Sequence, residues 1–415
     1  MSQWSAVSGQ WSAVSGQRFV APSVTCYLLN PLTLSEIQSD EALRRHEFPV
    51  VDHKVFLAHA AVCPLPRRVA EAVNARAQSG TLDDQEAGLP PTYFSDTRRL
   101  IAGVLNAQPS EIAFVGPTSL ALSYVAAGLP WKRGQNVLVY HDDYPSNVYP
   151  WMALSDRGVE VRFINIRELG RIRLVDVQGQ VDEDTRLVAL ASCHFVSGWR
   201  LDVEPLGRWL RSRGILFCLD AIQTLGAFPT TVEHVDFLAA DSHKWLLGPC
   251  GAGILYVRQD VQDRLQPIVH GWNNVRCPEF VAQDHLKFRT DARRYEAGSQ
   301  NLVGLAGMRA SFALLEEIGI AQIAADLARK RAWLSAALQE RGCEVLFPEL
   351  PPAHCGGITT FAHPRESSPA LHARLTAAGV VTSLRTRRDG RQWIRISPHY
   401  YNTDAELNRF LEVVG

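Results

Sequence analysis

The order of apolar segments predicts an α/β protein: a large domain on a mostly parallel sheet of seven-stranded type, then a smaller α+β domain. Two observations carry this. Between about residues 110 and 257, short apolar runs alternate with helix-length segments, the pattern of a parallel sheet with helices on both faces. Beyond Gly319 the pattern changes: a helix to 341 precedes four strand-like runs, at 343–347, 357–361, 380–384 and 393–397, and a last helix at 403–414. The expected division is a disordered or extended leader over 1–49, a large domain over 50–318 and a small domain over 319–415.

The leader holds a direct repeat, Trp4-Ser5-Ala6-Val7-Ser8-Gly9-Gln10 followed by the same seven residues at 11–17, too few copies for a solenoid. Residues 55–61 form a short strand and loop, and Pro64 and Pro66 open an amphipathic helix through Val69, Val73 and Ala77. A polar loop at 80–95 precedes a helix at 96–106, with Asp96 as its expected cap. The strand at 111–115 runs into Gly116-Pro117-Thr118-Ser119 and a helix. Glycine there lets backbone approach a ligand, helix N–H groups point outward, and Thr118 and Ser119 offer hydroxyls, as a phosphate requires. Further strands are expected at 136–140, 159–164, 187–192, 215–219, 235–240 and 253–257, then a long helix at 302–318.

Composition narrows the function classes. Forty-two basic against 43 acidic residues leave a net charge of −1, which gives no footprint for nucleic acid or an anionic membrane. No apolar run is long enough to span a bilayer. The eight cysteines are scattered without a CxxC pair, which fits a reduced, cytoplasmic protein without structural metal.

Within this frame, Lys244 stands out. It lies in Asp241-Ser242-His243-Lys244-Trp245, between the apolar run 235–240 and the strand 253–257, a poor place for a surface charge. Desolvation there holds an amine near neutral, the state that attacks a carbonyl. Twenty-four residues upstream, Asp220 ends the run Ile215-Leu216-Phe217-Cys218-Leu219, where open α/β sheets place their ligands. A lysine that forms a Schiff base and a carboxylate that keeps a pyridine nitrogen protonated are the pair pyridoxal phosphate chemistry needs. The glycines at 248–253 precede a strand instead of opening a helix, so a nucleotide-cofactor oxidoreductase is the weaker alternative.

These motifs, Leu219-Asp220-Ala221-Ile222-Gln223, Ser242-His243-Lys244-Trp245, Gly248-Pro249 and Gly251-Ala252-Gly253, resemble the class V aminotransferase family of fold-type I pyridoxal phosphate enzymes. That family includes cysteine desulfurases, selenocysteine lyases and isopenicillin N epimerases. The resemblance runs from about Val51 to the C-terminus. It implies a homodimer with shared sites, in which Ser299 touches the partner subunit's cofactor phosphate. It also implies cofactor contacts from Thr118, Ser119, Tyr144, Gln223, Ser242 and His243, with Tyr144 where desulfurases carry a histidine over the ring. Phe195 falls where desulfurases tend to have asparagine. His59 and His194 are candidate substrate contacts, His194 equally a buried structural histidine.

An amino-acid carboxylate is best held by a planar guanidinium, and Arg395, between apolar neighbours on a strand, is the first candidate. Arg385 is the second, while Arg387, Arg388 and Arg391 read as an exposed loop. Desulfurases carry a nucleophilic cysteine between these two arginines, and this chain has none there. Cys355 is the nearest alternative and reads as structural. The expected chemistry is loss of the substrate α-proton to Lys244, leading to transamination, β-elimination of the C–S lyase type, or epimerisation.

Overall fold

A computed structural model describes residues 32–415; the repeat and the rest of the first 31 residues lie outside the described residues. Seven strands form the main sheet: β1 (Ile112–Val115), β2 (Asn136–Val139), β3 (Glu160–Phe163), β4 (Thr185–Ala191), β5 (Leu216–Asp220), β6 (Phe237–Asp241) and β7 (Gly253–Val257). Their order is β1-β7-β6-β5-β4-β2-β3. The neighbours from β3 to β6 pair in parallel, and β7 runs antiparallel to both β6 and β1.

The central strands β5, β6 and β7 are buried along their whole length, which is why they read as unbroken apolar runs. Successive side chains still alternate between faces. Phe217, Leu219 and Leu238 join one core with helices α2 (Tyr93–Leu105), α4 (Val203–Ser212) and α5 (Leu302–Ile318). Leu216, Cys218 and Phe237 join the opposite core with α3 (Thr118–Gly128). Gly253 is required where β7 enters the sheet: a Cβ there would meet the Gly116 carbonyl oxygen at 2.4 Å.

The C-terminal part holds a four-stranded antiparallel sheet of β8 (Glu344–Val345), β9 (Thr359–Ala362), β10 (Ser383–Thr386) and β11 (Gln392–Ile396), in the order β10-β11-β9-β8. Helices α6 (Ile320–Glu340), α7 (Ser368–Ala377) and α8 (Asp404–Val414) cover it. The run expected at 380–384 is divided, because Val380–Val381 pairs in parallel with Val55–Phe56 while β10 pairs with β11. Val55 and Leu57 therefore pack in the C-terminal core.

Two local expectations are corrected. Residues 34–47, expected within the leader, form two short helices, Leu34–Ser39 and Glu41–Glu47, capped by the side chains of Thr33 and Asp40. Helix α2, which follows α1 (Arg67–Ser79), begins at Tyr93, so Asp96 lies inside its first turn, paired with Arg99, and is not the cap. An acidic residue suits the positive end of the helix dipole in either position, so the sequence signal was offset by one turn.

Candidate active site

The carboxyl ends of the parallel strands gather the chemistry at one edge of the sheet. Asp220 is the last residue of β5 and Asp241 the last of β6. Thr118 lies three residues beyond β1, Asp143 four beyond β2, and His194 three beyond β4. Lys244 follows β6 in a tight turn closed by the Leu247 N–H on the Lys244 carbonyl (3.1 Å). Leu247 takes a left-handed backbone (φ 60°), a strain of about 1 kcal/mol that full burial of its side chain offsets.

Lys244 is buried, with its Nζ 5.1 Å from the centre of the Tyr144 ring, and no described residue hydrogen-bonds it or forms an ion pair with it. Burial brings its pKa down to about 8, against the pull of Asp220 and with help from Arg395 and Arg385. Asp220 Oδ1 accepts the Ile222 N–H (3.0 Å), and no described donor reaches Oδ2. Burial raises its carboxyl pKa, while Lys244 and His243 oppose that shift.

Arg395 is buried on β11. It donates Nη1 to the Phe195 carbonyl (2.6 Å) and Nη2 to Ser383 Oγ (3.4 Å), and its Nε has no acceptor. Burial pushes its pKa well below the ordinary value, and the like charge of Arg385 adds to this. Arg385 likewise has an unpartnered, buried Nε. Two guanidinium groups here keep a buried Nε–H without an acceptor, and neither pairs with a carboxylate among the described residues.

The remaining expected residues divide. Thr118 Oγ1 accepts the Asp241 N–H (2.9 Å), while the Ser119 hydroxyl and the N–H groups of both residues at the start of α3 have no described acceptor. His243 Nδ1 lies 2.8 Å from Asp241 Oδ2, and Asp241 also accepts the Ser242 and Gly251 N–H groups. Ser242 is buried, and its hydroxyl contacts the Pro249 and Ala252 carbonyls (2.7 Å each), so it braces the loop. Gln223 gives its Nε2 to the Ala60 carbonyl and accepts the Trp245 indole N–H. Its carboxamide is thus committed behind the lysine.

Both histidines expected at the substrate are structural. His59 has no exposed surface and contacts the Ser397 carbonyl (2.9 Å) and the Tyr401 hydroxyl (2.7 Å); burial lowers its pKa to about 3. His194 Nδ1 accepts the Ser197 N–H, its Nε2 meets the Asp142 carbonyl, and burial lowers its pKa to about 4. Neither ring has a nitrogen free for a substrate. Ser299 is exposed on a separate hollow with Trp272 and Arg293. Its segment is tied to β1 through Glu296, which binds Arg98 and accepts the Phe114 N–H (2.8 Å).

One buried residue escaped the sequence reading. Asp143 is buried and raised to about 7, by burial first and by Asp220 second; it accepts the Tyr144, Asn147 and Ala191 N–H groups. Its signal was the acidic doublet Asp142-Asp143 just beyond a strand, the pattern that marked Asp220. Arg388 is exposed on its loop as expected, and what the sequence did not show is its contact across the chain: its Nε lies 2.8 Å from Asp142 Oδ1 and its Nη2 3.0 Å from the His141 carbonyl.

The donor set fits pyridoxal phosphate: free N–H groups and a hydroxyl for its phosphate, an open carboxylate oxygen for its ring nitrogen, and an unpaired amine for its aldehyde. That combination defines a pyridoxal-phosphate-dependent enzyme. The sequence pattern of the class V aminotransferases matches residues 55–410, and the chain belongs to that family. A protein of Methanothermobacter thermautotrophicus named "Probable cysteine desulfurase" is 32% identical over 286 residues, 67% of this chain and 71% of that one. "Uncharacterized aminotransferase YcbU" of Bacillus subtilis is 27% identical over 89% of this chain and 96% of its own length. The apo structure of a cysteine desulfurase from Thermococcus onnurineus NA1 shares the fold, with a TM-score of 0.82 at 24% identity over 90% of this chain and 96% of that one.

Proposed function

We propose that this enzyme takes an amino acid by its carboxylate on Arg395 and Arg385 and removes the α-proton with Lys244 Nζ. The observation that carries the reading is a buried, unpaired amine that shares its electrostatic surroundings with Asp220 and with two guanidinium groups lacking an anion. With a pKa of about 8, roughly one Lys244 amine in ten is neutral at pH 7, against fewer than about one in a thousand for an ordinary lysine. Bound pyridoxal phosphate supplies the electron sink for the pair left on the α-carbon. Asp220 would keep the ring nitrogen protonated, Tyr144 would cover the ring, and Thr118, Ser119 and His243 would hold the phosphate.

A second reading, C–S bond cleavage, is favoured by the desulfurase names of the relatives. Transfer of sulfur to a protein thiol is disfavoured, because the loop 386–391 holds no cysteine and burial raises the pKa of Cys355. Its seven described cysteines are free, which supports a reducing, cytoplasmic setting. Among the described residues no helix is long and apolar enough to cross a membrane. The exposure of Ser299 supports the homodimer, in which this residue would serve the neighbouring site.

The test is to mix the yellow protein with an amino-acid panel that includes cysteine, cystine and selenocysteine, following the cofactor spectrum and products together. An oxo-acid with the pyridoxamine form means transamination. Sulfide or selenide with pyruvate and ammonia means elimination. A change of configuration alone means epimerisation. A protein that stays colourless with saturating pyridoxal phosphate, or a Lys244→Ala variant with the same absorbance band as the parent, refutes the reading.

A further inference from the structure

A cavity of about 770 Å³ is lined in part by Phe195, whose ring meets that of Tyr144 edge to face with centres 5.4 Å apart. It shares walls with the carboxylate receptor. Phe195, whose carbonyl holds Arg395, lines it, and so does Thr386, the residue after Arg385. Asp143 and Pro145, the two neighbours of Tyr144, also line it. An α-carbon with its carboxylate on the arginines and its amine at Lys244 has one heavy substituent left, the side chain. The cavity borders the site through Phe195, Thr386 and the two chain neighbours of Tyr144.

We propose that the cavity is the side-chain subsite, and that the substrate is an amino acid with a bulky, largely apolar or aromatic group on its β-position. The inference rests on the amino-acid reading above. Size is the first ground. A cysteine side chain displaces one or two waters of about 30 Å³ each and would leave nearly all of the cavity wet, whereas sites of roughly 300–1,000 Å³ enclose much larger ligands. The lining is the second ground. Val148, Tyr149, Met152 and Phe195 offer apolar and aromatic surface. Tyr149 and Met152 are exposed to solvent at 66% and 39%. The third ground is closure: the Arg388–Asp142 bridge ties the loop after β10 to the end of β2 along one side of the cavity. Charged groups, Asp142, Asp143, Arg387, Arg388 and Asp389, line the cavity beside these apolar residues.

Dissociation constants read from the cofactor absorbance of the holoenzyme test this, with alanine, cysteine and S-benzylcysteine as probes. S-benzylcysteine is expected to bind at least tenfold more tightly than alanine. Met152→Trp, at a half-exposed position, is expected to erase most of that ratio by filling the cavity, and Arg388→Ala to reduce it by opening the rim. Equal affinity for alanine and S-benzylcysteine, or an unchanged ratio in both variants, overturns the subsite while the amino-acid reading stands. If no amino acid perturbs the cofactor band, the amino-acid reading falls, and the subsite with it.

Discussion

Replacing Arg395 by methionine separates a binding arginine from a structural one. The native guanidinium is buried with two acceptors, one unpartnered Nε, no carboxylate, and Arg385 as a like charge beside it. Leaving a buried charge uncompensated costs about 3–5 kcal/mol. Removing this one recovers that cost, but gives up a hydrogen bond to Phe195 and a weak one to Ser383, together worth about 2–4 kcal/mol. The balance is near zero or favourable by about 1–2 kcal/mol, so the melting temperature of the substrate-free holoenzyme should hold or rise by a few degrees. Binding changes the opposite way. Truncating one partner of a buried, hydrogen-bonded charge pair costs about 2–5 kcal/mol, which weakens affinity roughly 30-fold to several thousand-fold. Calorimetric melting together with spectral titration by a slowly reacting amino acid measures both. A variant that melts several degrees lower and binds the amino acid normally would show that Arg395 serves the fold and that the anion receptor lies elsewhere.

Asp143 is expected to give the enzyme a pH response near neutrality, because burial raises its carboxyl pKa to about 7. A folded pKa above the unfolded one contributes stability that is complete below about pH 4 and lost as pH rises through about 7. The melting-temperature difference between the parent and Asp143→Asn should therefore shift in favour of the variant between pH 5 and 8; a constant difference would contradict the assignment. Asp220→Ala should keep the yellow band, which depends on Lys244, yet lose turnover by more than about 100-fold, since it removes the charge that stabilises the protonated ring. Near-normal turnover in that variant would remove Asp220 from the site.

The main sheet was legible because strands buried on both faces are unbroken apolar runs. Those at 215–219, 235–240 and 253–257 match β5, β6 and β7 to within two residues at either end. Asp220 and Lys244 stood out as candidates because two charged residues follow such runs close together in sequence, although a strand-end charge can also be structural, as Asp241 is. Asn301 shows the limit at helix ends: its side chain caps α5 through the Gly304 N–H, while the apolar pattern marked only the helix span 302–318.

Sequence alone determined the main sheet, because its strands depend on the local run of apolar residues, and it named Lys244, Asp220 and the arginines as candidates. Tertiary structure decided which polar groups remain free. His59 is silenced by Ser397 and Tyr401, more than 330 positions away, and Gln223 by Ala60 and Trp245. Arg388 becomes a bridge only because the β10 loop lands beside Asp142. A hydrogen bond acts over about 3 Å in space whatever the separation along the chain, so local sequence carries no record of which donors are already satisfied.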